Sequence, residues 1–379
     1  MTGDLVRPDV PSTASGENAP RFDVVVVGGG QAGLAIGREL AMCGLSLLIL
    51  DASAGPGAVW RARWDSLRLF TPAAYSTLPG LAFPAPSESF PTKNEVAGYL
   101  QAYRDHFDLP VRWNSPVVKL SARTGGGEID GYELHTPTGM VHARQVVVAT
   151  GPFQRPYQPA LTAGLGDAVF QVHSSAYLNP EQLPEGPALV VGGGNSGIQI
   201  ADELSVTRPT TLAVGKSHPY IPKRFAGRSV FWWLDLVGFL RMRTRSRFGR
   251  YASRKVGQHG EPVIGDTPRR LQGRGRVSLA GRIVASEQGV IWSQEGAEFR
   301  PSAVVWATGY RPDFSWVDLP VVGPDGWIRQ RDGRTDLPGL YTLGLPWQRT
   351  SASAFLGGVG ADARDLAVDI AAHSSAGRP

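Results

Sequence analysis

Two glycine triplets of the same spacing carry the chemistry that this chain displays most openly. Gly28, Gly30 and Gly33 follow the run Val24–Val27, and Gly192, Gly194 and Gly197 follow "PALVV". In a G-x-G-x-x-G turn the first glycine permits the tight reversal. The second lets the backbone come close to a pyrophosphate, and the third lets the next helix pack on the strand. Unpaired N–H groups at that helix's start then favour the anion. Gln31 and Ala32 in the first turn, and Asn195 and Ser196 in the second, fall where a nucleotide would touch the chain. The first unit closes with a strand, Leu47–Leu50, ending at Asp51, an acid spaced to hold ribose hydroxyls. The second unit's strand, "TTLAV", ends without an acid and runs into "GKSH". Lys216, with His218, Lys223 or Arg224, would there meet a 2′-phosphate, which points to NADPH. A solvated basic loop is the other reading of the same residues.

The elements that must position these turns repeat as well. "DGYELHTPTGMVHARQVVVATG" and "QGVIWSQEGAEFRPSAVVWATG" each hold two short alternating strands around a Gly turn, then a buried strand. Each ends in Ala-Thr-Gly: Ala149, Thr150 and Gly151 in one copy, Ala307, Thr308 and Gly309 in the other. Small residues there let the chain pass close to a nucleotide. The expected fold is α/β, with two Rossmann-like dinucleotide-binding domains. Two dinucleotides in one chain make sense if one feeds the other, a nicotinamide in the second site reducing a flavin in the first.

Composition narrows the alternatives. A chain of 379 residues with 42% apolar and 19% charged residues is ordinary for a soluble globular protein of two or three domains. Cys43 is the only cysteine, so neither a disulfide framework nor a cysteine metal cluster is expected, and its apolar helical run suggests a core position. The seven histidines show no metal spacing, and neither a nucleophile elbow nor a P-loop is present. Residues 1–20 lack the apolar stretch of a secretory signal and read as a disordered tail. No apolar run reaches the roughly 18 residues of a spanning helix, so a cytoplasmic location is the default. A net charge of +5 makes no case for nucleic acid.

From about residue 22 to 373 the chain resembles the class B flavin-containing monooxygenases, and their bacterial relatives in particular. The motifs are "GGGQAG", "GAVWRARWDSLRLFTP", "HSSAY", "GGGNSG", "VVWATGYRPDFSW" and "PGLYTLGLPWQRTSASAFLGGVGADA". The resemblance implies FAD in a domain of residues 21–155 and 311–373. It implies NADPH in an inserted domain of residues 156–310, itself carrying an apolar and basic insertion near 218–275. It further implies a flavin hydroperoxide, made from molecular oxygen, that oxygenates a small amine or sulfide. Ala58, Val59 and Trp60 match the family's turn beside the flavin ribityl. Val118, Gly344 and Leu345 are flavin contacts by the same likeness. The C-terminal helix would aim its positive end at the reduced ring.

His173 and Tyr177 fit the fingerprint F-x-G-x-x-x-H-x-x-x-Y, and the resemblance places them at the reaction. Asp167 and Val169 stand where its Phe and Gly should be. Tyr177, rather than Trp, leans away from oxygen insertion into ketones. The family's Asn before the first substrate loop is missing. Phe70 or Thr71 stands there, and Thr71 either substitutes for it or is a turn residue before Pro72. Phe70, Trp347, Gln348 and Arg349 are candidates for the substrate wall. The segment 229–255, apolar and then strongly basic, reads as a lid or packing insertion, or as a helix lying on an anionic membrane. Two rivals remain: a reductase passing electrons from NADPH to a quinone or protein acceptor, and a non-catalytic nucleotide sensor. A reductase acting through an internal cysteine pair is excluded by the single cysteine.

Overall fold

The computed structural model describes residues 19–216, 218–259 and 262–376. Its first sheet is built on β1 (Arg21–Val27), flanked by β2 (Leu47–Leu50) and β6 (Gly139–Val148), both parallel to it. The full order is β3 (Val111–Arg112), β2, β1, β6, β5 (Glu128–Thr136) and β4 (Lys119–Gly125). The strand Leu340–Thr342 returns from far along the chain to pair with β6. β1 is a run of valines because both its faces are covered. Val24 and Val26 join the cluster of α1 (Gln31–Met42), α3 (Lys93–His106) and the C-terminal helix Val359–Ala376. Val25 and Val27 point the other way, toward Leu134, Val146, Phe314 and Val317. Each such side chain contributes about 1.5–3 kcal/mol on full burial, so this strand anchors the domain. α3 starts at a capping box: Thr92 Oγ1 accepts from Glu95 N at 3.3 Å while Thr92 N donates to the Glu95 carboxylate at 2.7 Å.

A second, wholly parallel sheet runs Val277–Ala280, β10 (Thr210–Ala213), β9 (Ala188–Val191), Ala303–Trp306 and β8 (Phe170–His173). Its first four strands match β3, β2, β1 and β6 in order and role, with α4 (Asn195–Leu204) standing for α1. This is the α/β, doubly dinucleotide-binding architecture that the sequence repeat implies. The chain leaves the first sheet through β7 (Arg155–Pro156) and comes back through Tyr310–Arg311, and these two crossings pair antiparallel. The segment after β10 holds α5 (Val230–Leu236) and α6 (Arg247–His259). Phe231 of α5 is buried against Phe70, Tyr75 and Phe355, so this segment packs on the first domain.

Two expectations are corrected. Cys43 is exposed, because it caps the C-terminus of α1 where the apolar face has already turned away. Of the expected tail, residues 1–18 lie outside the described residues. Ala19 is buried, however, and Pro20 accepts a hydrogen bond from His142 N at 2.9 Å, so order begins ahead of β1.

Candidate functional site

The two glycine turns follow one steric plan. Gly28 has φ 109°, and a Cβ there would lie 2.6 Å from the Ala149 carbonyl oxygen. Gly192 has φ 130°, and its Cβ would lie 2.2 Å from the Ala307 carbonyl oxygen. A Cβ on Gly33 would lie 1.8 Å from Gly28 O, and one on Gly197 would lie 1.9 Å from Gly192 O. By contrast nothing stands within 4 Å of a Cβ on Gly30 or Gly194. These two glycines are the N-caps of α1 and α4, neither helix has a side-chain cap, and neither has an acid in its first turn. The open space and the uncapped N–H groups fit an anion at each helix start. Each Ala-Thr-Gly turn is stitched to its own glycine strand, Ala149 N to Val27 O at 2.8 Å and Ala307 N to Val191 O at 2.9 Å.

Around the first turn, Asp51 draws the loop together. One carboxylate oxygen accepts from Gly29 N at 2.5 Å and the other from Ser53 N at 2.7 Å. Trp113 lies against Gly29, and Gln154 donates to Thr150 Oγ1 at 3.0 Å and to Gly151 O at 2.9 Å. Sequence reasoning missed both residues, since neither belongs to a motif. Gly344 sits on Ala32, a Cβ there falling 2.7 Å from the Ala32 Cβ, and Leu345 beside it is buried. Gln31 donates to Ala354 O at 2.9 Å, so the C-terminal segment is fastened to the start of α1. The helix α2 (Ala58–Arg61) opens at Gly57, whose φ of 69° brings it against Ala97 of α3. Ala58 and Trp60 are half-buried, while Val59 and Val118 are exposed.

Around the second turn, Ser196 is half-buried and Lys216 is exposed just beyond β10. Thr308 Oγ1 donates to Tyr157 O, which ties the second Ala-Thr-Gly turn to the domain crossing. Two candidates are employed elsewhere. The Asn195 amide accepts from Ile264 N at 3.0 Å and donates to Pro262 O at 3.3 Å, clamping the insertion onto α4. Arg224 donates to Glu88 O at 2.7 Å and pairs with the Glu88 carboxylate at 3.7 Å, turned to the other domain. Between α4 and the insertion lies a cavity of about 80 Å³, lined by Asn195, Ile198, Asp202, Lys223 and Asp266. Burial pushes the Lys223 ammonium below its ordinary pKa. This cavity follows the flank of α4 and leaves the Gly194 opening untouched.

The expected catalytic residues are each engaged by protein partners. Tyr177 is fully buried, and its hydroxyl donates to Glu203 of α4 at 2.8 Å. Burial first, and then the Glu203 carboxylate, hold its phenol above the ordinary value. His173 Nδ1 accepts from Ser175 N at 3.1 Å, which leaves the proton on Nε2, and Nε2 donates to Gly309 O at 3.0 Å. Burial lowers its pKa, so the ring is neutral and fully engaged in fixing the second Ala-Thr-Gly turn. Thr71 is buried with its hydroxyl 3.0 Å from that of Ser76, which itself donates to Pro72 O at 3.1 Å. These bonds tie Thr71 into the turn at Pro72.

The substrate-wall candidates divide. Gln348 is buried and bonds Thr342 O at 2.7 Å and Leu345 N at 3.2 Å. Arg349 reaches Asp365 at 3.0 Å and Asp362 at 3.7 Å on the C-terminal helix. Both brace the returning segment. Trp347 holds the left-handed φ of 55°, uncommon for a bulky residue, and its ring meets Phe239 edge-on at 6.3 Å. Phe70 remains apolar and half-buried. It stacks on Phe231 at 6.2 Å and meets Phe355 edge-on at 6.0 Å, with Tyr75 completing the cluster. Phe355 adjoins Ala354, which holds Gln31 at the first turn. The aromatic partners escaped sequence reasoning because they come from three distant segments.

Fold and site together define an oxidoreductase with two dinucleotide cradles in one chain. Residues 25–219 match the family described as pyridine nucleotide-disulphide oxidoreductase, and the chain belongs to that family. It is 41% identical over 352 residues to an uncharacterized oxidoreductase, CzcO-like, of Geobacillus kaustophilus, covering 93% of this chain and 99% of that one. It is 38% identical over 344 residues to the uncharacterized oxidoreductase CzcO of Bacillus subtilis, covering 90% and 97%. A solved flavin-containing monooxygenase from Stenotrophomonas maltophilia is 29% identical, with a TM-score of 0.76 over 93% of this chain and 99% of that one. The architecture is that of the flavin monooxygenases. The disulphide chemistry in the family's description has no internal counterpart, because Cys43 has no partner cysteine.

Proposed function

We propose that the protein is an NADPH-dependent FAD monooxygenase that oxygenates a small soft nucleophile, an amine or a sulfide. The observation that carries this reading is the pair of cradles built to one steric plan, in each of which the middle glycine of the triplet, Gly30 or Gly194, faces open space. The Gly28–Gly33 turn, Asp51 and α2 would hold FAD. The Gly192–Gly197 turn and Lys216 would hold NADPH. Bound and reduced, FAD supplies the electrons that activate molecular oxygen for transfer of one oxygen atom to the substrate.

The chain's own residues do the positioning. The uncapped starts of α1 and α4 hold the two pyrophosphates. His173 holds Gly309, and Gln154 holds Thr150 and Gly151, so both Ala-Thr-Gly turns keep a fixed distance from their nucleotides. Phe70, Tyr75, Phe231 and Phe355 form an apolar wall that excludes water and favours an uncharged substrate. The likeness to flavin monooxygenases supports the reaction class, and the missing acid after β10 supports NADPH.

The test follows NADPH, oxygen and product together during turnover with a thioether or a tertiary amine. Oxygenated product in step with NADPH oxidation is the expected result. Release of all reducing equivalents as hydrogen peroxide, with turnover accelerated by a quinone, would replace this reading by the reductase.

A further inference from the structure

The charge of this chain is segregated. Between residues 224 and 255 stand nine Arg and Lys against Asp235 alone, a net of +8, whereas the whole chain carries +5. The rest is therefore net negative. Within this stretch α6 exposes two aromatic residues among its cations. Its small residues lie inward, Gly249 so tightly that a Cβ would meet Arg243 O at 2.1 Å. Its exposed side carries Arg247, Arg250, Arg254 and Lys255, interleaved with Phe248 and Tyr251. These two aromatics are 63% and 56% exposed, where a helix in water keeps such side chains on its buried stripe. At helical spacing the six fall on one arc. None of Arg247, Arg250 and Arg254 meets a carboxylate among the described residues. In the same insertion Leu236 at the end of α5 and its neighbour Val237 are 64% and 74% exposed, and Phe225 is also exposed.

We propose that this face docks the protein on an anionic phospholipid surface. The α6 cations lie among the headgroups, while Phe248, Tyr251, Leu236 and Val237 enter the boundary between headgroups and acyl chains. Cations and aromatics mixed on one exposed helix arc are the composition of an interfacial helix. Exposed aliphatic side chains have no use against a phosphate backbone, which favours lipid over nucleic acid. No helix among the described residues is long and apolar enough to cross a membrane, so the protein lies on the surface. The same insertion carries Phe231 of α5 into the aromatic wall, so the docking segment is joined to that wall.

Cosedimentation of the full chain with vesicles tests this without any turnover. The protein is expected to pellet with phosphatidylcholine–phosphatidylglycerol vesicles at low salt, to leave them at high salt, and to ignore phosphatidylcholine alone. The triple variant Arg247→Glu, Arg250→Glu, Arg254→Glu should lower partitioning on the order of a hundredfold, given the usual gain per basic residue near an anionic surface. Phe248→Ser with Tyr251→Ser should lower it about tenfold and leave the salt dependence in place, since that pair supplies apolar burial. All these side chains face outward, so unchanged melting temperatures check the fold. Equal partitioning onto both vesicle types, unchanged binding by the triple variant, or binding to duplex DNA without binding to vesicles would each overturn the proposal.

Discussion

The two cradles agree where backbone must touch backbone and differ where a ligand must be chosen. Gly28 and Gly192, and Gly33 and Gly197, sit against matching carbonyl oxygens to within a few tenths of an ångström. That part of the design is steric and leaves no room for variation. The ends of the second strands diverge: Asp51 binds back into its own glycine loop through Gly29, while the second unit offers the exposed Lys216 and no acid. The coverings diverge as well. The C-terminal segment closes the first cradle through Gly344 on Ala32 and Ala354 on Gln31. The insertion is clamped to the second cradle through Asn195.

The largest expected effects separate the glycines by role. Gly30→Val should leave a folded, colourless protein, since the new side chain enters space that only the ligand uses. Gly194→Val should stay yellow yet lose reduction by NADPH. Gly33→Ala behaves differently, because its methyl collides with Gly28 O. Overpacking of that kind costs about 1–3 kcal/mol, and more where only backbone can yield, so this variant should melt earlier with or without flavin. Flavin content and melting temperature read out both. A Gly30→Val protein that keeps stoichiometric flavin, or that is as unstable as Gly33→Ala, would break the assignment.

The next effect concerns the difference between the two strand ends. Charge-assisted hydrogen bonds to a 2′-phosphate contribute roughly 1.5–3 kcal/mol, about a 10- to 150-fold preference in kcat/KM for NADPH over NADH. Lys216→Ala should lose most of that preference while leaving NADH turnover intact. Equal kcat/KM for the two coenzymes in the unaltered protein would remove the contrast between the cradles. An unchanged ratio in Lys216→Ala would move the role to Lys223, since Arg224 is engaged with Glu88.

Motifs revealed what depends on the backbone and left side-chain direction open. Glycine spacing reports backbone clearances, and these are set locally, so both turns and both Ala-Thr-Gly strands were legible. His173 and Tyr177 were legible as positions only. Whether a side chain faces a ligand or the core depends on what packs behind it, and Glu203 and Gly309 come from other segments. The same holds for Gln348 and Arg349, whose partners lie on a returning strand and helix. Phe231 and Phe355 join Phe70 from 161 and 285 residues away, a distance no local pattern bridges. Trp113 and Gln154 had no signal beyond their closeness to Asp51 and Gly151.

The smallest effect is a pH dependence that asks whether His173 is scaffold or catalyst. Its buried ring is neutral, with Nδ1 accepting from Ser175 N and Nε2 donating to Gly309 O. Protonation at Nδ1 would break the Ser175 contact and leave a buried cation close to Arg63, so the folded pKa lies below the ordinary 6.5. The sign follows from linkage. Above 6.5 neither state binds the proton, and the residue's full contribution is present. Below 6.5 the unfolded chain takes up a proton that the folded chain refuses, so stability falls with acid until the lowered folded pKa is reached. One such group tilts stability by at most about 1.4 kcal/mol per pH unit. His173→Gln keeps a donor for Gly309 and has nothing to titrate. It should melt somewhat earlier at neutral pH, show a flatter loss of stability below 6.5, and keep the pH profile of turnover unchanged. A scaffold residue moves the stability curve, whereas a catalyst moves the rate profile. A rate profile that loses a limb in His173→Gln, with a stability slope like that of the unaltered protein, would return His173 to the reaction.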